Sequence, residues 1–285
     1  MQLLAMVEER PAKKARAASL DELLTIHEDD PASSFDTIME TLLNRCVLRI
    51  GDSHRYRFLE LEMYCRDRKV HNDPFTHGDP MQERKLTWYF HKTGNGYKGG
   101  TYKGLDLALG RPGRPVGVLV RSIVPCDDAD GDVVCGSCLC VDRILKLASS
   151  PDIASFVSNY GTRVDVNEGL RVELNDDGVN TLPLVRSARV GLSMKTKTTE
   201  ADATWWGKKY RYMTTTKLKK GKNLIVCAMI EGQNDPKGVT TKRAIDKYRQ
   251  AYSDGKSKKV KSFLGKSLST VEECEFLGAI SSAPC

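Results

Sequence analysis

The feature that most constrains this chain is the run LELEMY, residues 59–64, which alternates apolar and polar side chains with a period of two. That period belongs to a strand, and it sends Glu60, Glu62 and Tyr64 to the same side. If that side is buried, at least one carboxylate is desolvated and its pKa rises, as suits a general acid or base. Two other stretches restrict the fold around it. GVLVRSIVP, 117–125, is an almost wholly apolar strand with a single charge, Arg121, at its midpoint. RVGLSMKTKTTEADATWWGKKYRYM, 189–213, ends in a basic and aromatic cluster.

At 285 residues the chain is long enough for one large domain with tails. Its net charge of +7 is unevenly spread, since Arg186 to Lys266 holds 21 Lys and Arg against 6 Asp and Glu. A local excess of this kind, interleaved with Trp205, Trp206, Tyr210 and Tyr212, is the footprint of a nucleic-acid or other polyanion partner. The plainer alternative is a solvated basic face. No apolar run is long enough to cross a bilayer, and the start lacks a secretory pattern. Nine cysteines without such a signal read as free thiols in a reducing compartment, so an intracellular location is expected. PAKKAR, 11–16, is a candidate nuclear-import patch.

Along the chain, 1–33 reads as a disordered lead-in with a short helix near LDELLTIHE. Residues 34–216 read as the catalytic body, and 217–285 as a basic C-terminal extension. Ser34 is the expected N-cap of a helix through FDTIMETLLNRC. CVLRI and RYRFLELEMY form a hairpin across GDSH. Strands are further expected at TWYFHK, GLRVEL, LVRSARVGL, KYRYM and NLIVCAMI. Helices are expected at CGSCLCVDRILKLAS, PDIASFVSN and TTKRAIDKYRQAY. Short strands and helices without regular βαβ alternation make an α+β protein, a single mixed domain around a curved, mainly antiparallel sheet with flanking helices.

The order of LELEMY, the His71–His77 loop, GYKGGTYKG, VLVRSIVP, CGSCLCVDRILKLA, and RVGL with WWGKKYRYM resembles the alkyladenine (3-methyladenine) DNA glycosylase family. The resemblance spans about residues 35–213 and has no counterpart for the tail. It implies hydrolysis of the bond between a damaged purine and its deoxyribose, after the nucleotide is flipped out of double-stranded DNA. It implies a monomer that needs no cofactor and no metal. By position, Glu62 matches the catalytic glutamate and Arg121 the arginine that supports it. Tyr64 matches a ring stacking on the flipped base, His71 or His77 the pocket histidine, and Tyr102 the wedge that fills the vacated stack. Lys208, Lys209 and Arg211 would hold phosphates.

The family's second stacking tyrosine falls at Gly99, so Trp88 or Tyr89 is expected to close the pocket instead. The expected asparagine falls at Leu109, with Asp106 the nearest polar residue. Other readings stay open. Glu62 is equally intelligible as a salt-bridged strand residue, and the scaffold as a nucleic-acid-binding protein without catalysis. Cys135, Cys138 and Cys140 form too short a series for a zinc site. His71, Asp73, His77 and Asp79 read as turn formers before they read as metal ligands.

Overall fold

The structure, a computed structural model, describes residues 18–127, 132–165, 168–175, 181–197 and 199–283. PAKKAR lies outside them. Twelve strands are present among these residues: β1 Cys46–Ile50, β2 His54–Asp67, β3 His71–Asn72, β4 Thr87–Phe90, β5 Lys92–Thr93, β6 Gly96–Tyr97, β7 Leu105–Ala108, β8 Val116–Pro125, β9 Val134–Cys135, β10 Leu170–Leu174, β11 Val185–Ser187 and β12 Arg211–Met213. Eight α-helices accompany them: α1 Leu20–Leu23, α2 Phe35–Glu40, α3 Ser137–Leu147, α4 Ile153–Tyr160, α5 Glu200–Gly207, α6 Lys222–Glu231, α7 Lys242–Gly255 and α8 Thr270–Ser282. The architecture is α+β, as the mixed pattern of elements requires.

The main sheet runs β10–β1–β2–β8–β7–β4, with β12 also on β2, β11 on β12 and β9 on β8. Its pairings are antiparallel. The fourteen-residue β2 and the apolar β8 form its centre. All of β8 except its last residue is buried, which explains a strand with almost no polar alternation. The β2–β8 register shifts between Phe58 and Leu61. A bulge there re-aims side chains and is a common neighbour of functional sites. It falls beside Glu60, Glu62 and Arg121.

The largest apolar cluster packs α2, α3 and α4 against the sheet through Phe35, Leu42, Ile144 and Phe156. The lead-in is ordered from residue 18, where Ser19 caps α1 through a reciprocal bond with Glu22 and Leu24 is fully buried. This corrects the expectation of disorder for 18–33. Ser34 precedes α2 as expected but makes no capping bond to it. Its hydroxyl donates to the Pro31 carbonyl.

NLIVCAMI is helix α6, not a strand. A short apolar run cannot be assigned by periodicity alone. Here it is apolar all round because it is surrounded. Leu224 enters one cluster with Trp206 and Phe276, Ile225 and Val226 enter another with Met213, and Cys227 meets Cys274 and Tyr252 in a third. The segment expected as an appended extension therefore supplies much of the core beside β11, β12 and α5. Helices α7 and α8 cross at backbone contact. A Cβ on Gly278 would lie 2.0 Å from the Tyr252 carbonyl oxygen, so only glycine permits the crossing.

Candidate active site

Glu62 sits at the centre of β2 with no exposed surface. Its Oε1 accepts the Val190 backbone N–H at 2.7 Å, and its Oε2 accepts the Tyr64 hydroxyl at 2.9 Å. The Arg121 Nε lies 3.4 Å from Oε1. A carboxylate has about four lone-pair positions. Three partners therefore leave one lone-pair position without a donor, and no solvent reaches it. Arg121 is itself 7 % exposed. Burial pulls its pKa down, but the charges of Glu62 and Glu60 more than reverse that, so it stays protonated.

Glu60 has a different set of partners. Its Oε1 takes the Arg121 Nε at 3.1 Å and the Arg211 Nε at 2.6 Å, while Oε2 takes the Ser122 hydroxyl at 2.6 Å. Burial pushes its carboxyl up, and the two guanidinium groups with Ser122 overcome this and leave it below the usual carboxylate range. At this carboxylate the expected upward shift is reversed.

A cavity of about 200 Å³, which Glu62 itself does not line, opens at Tyr64 and Val190, the partners of Glu62, with Phe75, His77, His91 and Asp106 among its other walls. That is smaller than the roughly 300–1,000 Å³ of pockets for drug-sized ligands, and suits one flat ring system. The Tyr64 ring is held from the protein side by Arg189, whose guanidinium lies 4.4 Å from the ring centroid. Arg189 is fully buried and is fixed by Asp73 at 2.5 Å and by the Met63 carbonyl at 3.0 Å. Burial raises the Tyr64 pKa well above its ordinary value, and the Glu62 charge adds to it, so the hydroxyl remains a donor.

Of the two histidine candidates, His77 lines the cavity and His71 does not. The His71 ring is buried between the Cys65 carbonyl and the Tyr210 hydroxyl, both at 2.9 Å. Burial lowers the pKa of both rings, and for His77, with the charge of His91 adding to burial, to about 4. The His77 residue is nevertheless exposed on its outer side.

Two strands across the sheet from Glu62, in register through Leu119, stands Asp106, whose partners His91 and Gln82 sequence reasoning missed. His91 Nε2 meets Asp106 Oδ1 at 2.8 Å, and the Gln82 amide donates to Asp106 Oδ2 at 2.8 Å. The His77 and His91 rings meet edge-on at 4.3 Å. Gly117 makes this possible, because a Cβ there would lie 2.4 Å from Asp106 Oδ2. The available signal was the pairing of TWYFHK with LDLAL, which brings Tyr89 opposite Asp106.

Tyr102 is 79 % exposed on a short 3-10 turn and does not line the cavity. Its loop is tied to the site by its neck. The His91 N–H donates to the Gly104 carbonyl at 2.9 Å, and the Lys98 N–H to the His91 carbonyl at 2.8 Å. Neither Trp88 nor Tyr89 closes the cavity. Trp88 is fully buried and donates to the Leu170 carbonyl, while Tyr89 is buried behind the rings of His77 and His91.

The expected phosphate contacts are corrected in part. Arg211 is fully buried, bound to Glu60 and to the carbonyls of Lys220 and Gly221, and cannot reach a phosphate. Lys209 pairs with Glu231 at 2.7 Å, whereas Lys208 is exposed. The aromatics of the same run are core residues. Trp206, Tyr210 and Tyr212 are buried, and Trp206 donates to the Leu192 carbonyl. Sequence records charge and aromaticity but not the strand pairing that sets Arg211 opposite Glu62 and sends it inward.

Asp73 is taken by Arg189, and Asp79 caps the turn Pro80–Glu83. Among the described residues no cluster of three or more His, Cys, Asp or Glu side chains is arranged to hold a metal ion. No helix among them is long and apolar enough to cross a membrane.

No protein-family model matches the chain. It is similar to an uncharacterised protein of Acanthamoeba polyphaga mimivirus, 33 % identical over 126 residues, covering 39 % of this chain and 56 % of the viral protein. The chain thus spans little more than half the length of that relative.

Proposed function

We propose that the chain is a monofunctional DNA N-glycosylase-like hydrolase that excises a damaged, alkylated purine. The observation that carries this reading is Glu62, a buried carboxylate held by Arg121, the Val190 N–H and the Tyr64 hydroxyl, the last two of which line a base-sized cavity. A water seated on Glu62 gives up a proton to the carboxylate as its oxygen bonds to the anomeric carbon. The glycosidic C–N bond breaks and the base leaves with the electron pair. The carboxylate charge stabilises the cationic sugar in the transition state. Tyr64 and Phe75 offer apolar faces to the base, and Asp106, Gln82 and His77 offer polar groups to its edge. Tyr102, exposed at a loop tip, is available as the wedge. Double-stranded DNA as partner, action as a monomer, and an intracellular, nuclear setting belong to the same proposal.

Single-turnover base release from duplexes carrying alkylated or deaminated purines tests it. Wild type should release at least one such base and Glu62→Gln should not. Failure of wild type on all of them overturns the enzyme reading.

The second reading is a catalytically inactive nucleic-acid-binding protein on the same scaffold. The zero exposure of Glu62 favours it, because a wholly enclosed carboxylate also serves as an ordinary structural ion. It predicts salt-dependent duplex binding that Glu62→Gln leaves intact, with no base release by either protein.

A further inference from the structure

With Arg211 buried and Lys209 paired, Lys208 is the one expected phosphate contact left exposed, and a duplex needs more positive charge than that. The segment 255–268, GKSKKVKSFLGKSL, carries five lysines and no acid. Lys256, Lys258, Lys259, Lys261 and Lys266 are all exposed. Of the five, only Lys258 has a carboxylate within ion-pair reach among the described residues, Glu275 at 2.6 Å, and the Lys256 ammonium lies over the Tyr252 ring at 5.3 Å. Four of these lysines, Lys256, Lys258, Lys259 and Lys261, line one hollow of about 360 Å³ between the end of α7, α8 and the start of α5, with Glu200 the acid on its edge.

The hollow is joined to the candidate active site by a strap of chain. Val190 binds Glu62, Gly191 and Leu192 line the cavity, and the strap continues through Lys195 to Lys197, whose ammonium donates to the Pro74 carbonyl beside Phe75. The Gly265 N–H donates to the carbonyls of Met194 and Lys197, both at 3.1 Å, and so fastens the lysine segment to the strap. Behind the strap, Phe263 and Phe276 pack with Phe75, Val190 and Leu192 in one cluster. Val190 to Met194 and Gly265 to Lys261 are four residues each and extend at most about 14 Å apiece. With a phosphate about every 3.4 Å along each strand, the Lys261 backbone lies within roughly ten base-pair steps of the cavity wall at Val190.

We infer that Lys256, Lys259 and Lys261 bind the phosphate backbone of duplex DNA flanking the nucleotide in the cavity. The inference rests on the nucleic-acid partner proposed above but not on catalysis. It places the phosphate grip in a part of the chain for which the family resemblance has no counterpart. Exposed lysines with no carboxylate partner lose little by meeting phosphates and gain the entropy of released counterions.

The test is equilibrium binding of a lesion-free duplex oligonucleotide across a salt series, comparing wild type with K256Q/K259Q/K261Q. All three side chains are exposed, so the variant should keep the circular dichroism spectrum and melting of wild type. Each lost phosphate contact should reduce the slope of log affinity against log salt by about 0.9. The triple variant should lose about 2 to 3 from that slope and bind about tenfold or more weakly at 100 mM salt. A slope within 0.5 of wild type overturns the inference, and so does absence of duplex binding by wild type. Because the duplex carries no lesion, failure here leaves the base-release test of Glu62 standing, and failure of base release leaves this one standing.

Discussion

Glu60 and Glu62 stand two residues apart on one strand, equally buried and touched by one shared arginine, yet their surroundings assign them different work. Glu60 balances Arg211 and Arg121 deep in the protein, with Ser122 completing its shell. Glu62 shares only the longer contact to Arg121, and its other partners, Val190 and Tyr64, are cavity walls. Burial alone therefore does not mark a catalytic carboxylate. What separates the two is whether the charge is already neutralised and whether its neighbours face a space that substrate can fill.

The strongest way to break this contrast is to neutralise each acid in turn. Glu62→Gln should lower single-turnover base release by about 10²–10⁴-fold, the usual worth of a positioned acid or base, while chemical denaturation shows a smaller change. Glu60→Gln should do the reverse, costing about 3–5 kcal/mol of stability by leaving Arg211 an uncompensated buried charge. If Glu62→Gln destabilises as much as Glu60→Gln and leaves base release unchanged, the division of labour is wrong. Next in size, Tyr64→Phe removes a donor to the Glu62 carboxylate. A hydrogen bond to a charged group contributes about 1.5–3 kcal/mol to stability, so chemical denaturation should show a loss of about that size and base release should fall about tenfold as the carboxylate loses a positioning donor.

Gly117→Ala sharpens the comparison from the opposite wall. Its methyl group would collide with Asp106 and Gln82, and overpacking of this kind costs about 1–3 kcal/mol. Thermal unfolding should show the loss, and Asp106→Ala in the same background should recover part of it. The smallest effect concerns pH. His77 has a folded pKa of about 4, below the ordinary 6.5, so its neutral form is favoured in the native state. Its contribution to stability is complete above pH 6.5 and is lost as pH falls from there toward 4. The exposed side of the ring screens the effect. His77→Asn should therefore flatten the acid limb of the stability curve slightly between pH 6.5 and 4, and a limb unchanged in that window would remove His77 from the account.

The parts of this molecule legible in sequence are those whose pattern is local. LELEMY and VGVLVRSIV lie in the paired strands β2 and β8, because alternation and continuous apolarity are set by the two faces of the strand itself. Glu62, Tyr64 and Arg121 follow from them by register. What sequence hid depends on distant partners. Helix α6 is apolar on every side because three clusters surround it, which no period within ten residues reveals. Arg211 looks like a phosphate ligand until Glu60, 151 positions away, accounts for it. His91 and Asp106 become a pair only when β4 and β7 lie side by side. His71 and His77 could not be separated by spacing, and their roles diverge because the loop between them turns one ring into the core and the other into the cavity.

The cluster behind the Val190 strap has a consequence for how the protein comes into being. During synthesis Glu62 leaves the ribosome about 210 residues before Phe276, which completes the wall behind its partner Val190. At about 5–20 residues per second, the acid waits roughly ten to forty seconds for its site to be finished. A nascent or prematurely ended chain thus carries every residue proposed for the chemistry and still lacks the surface that aligns them.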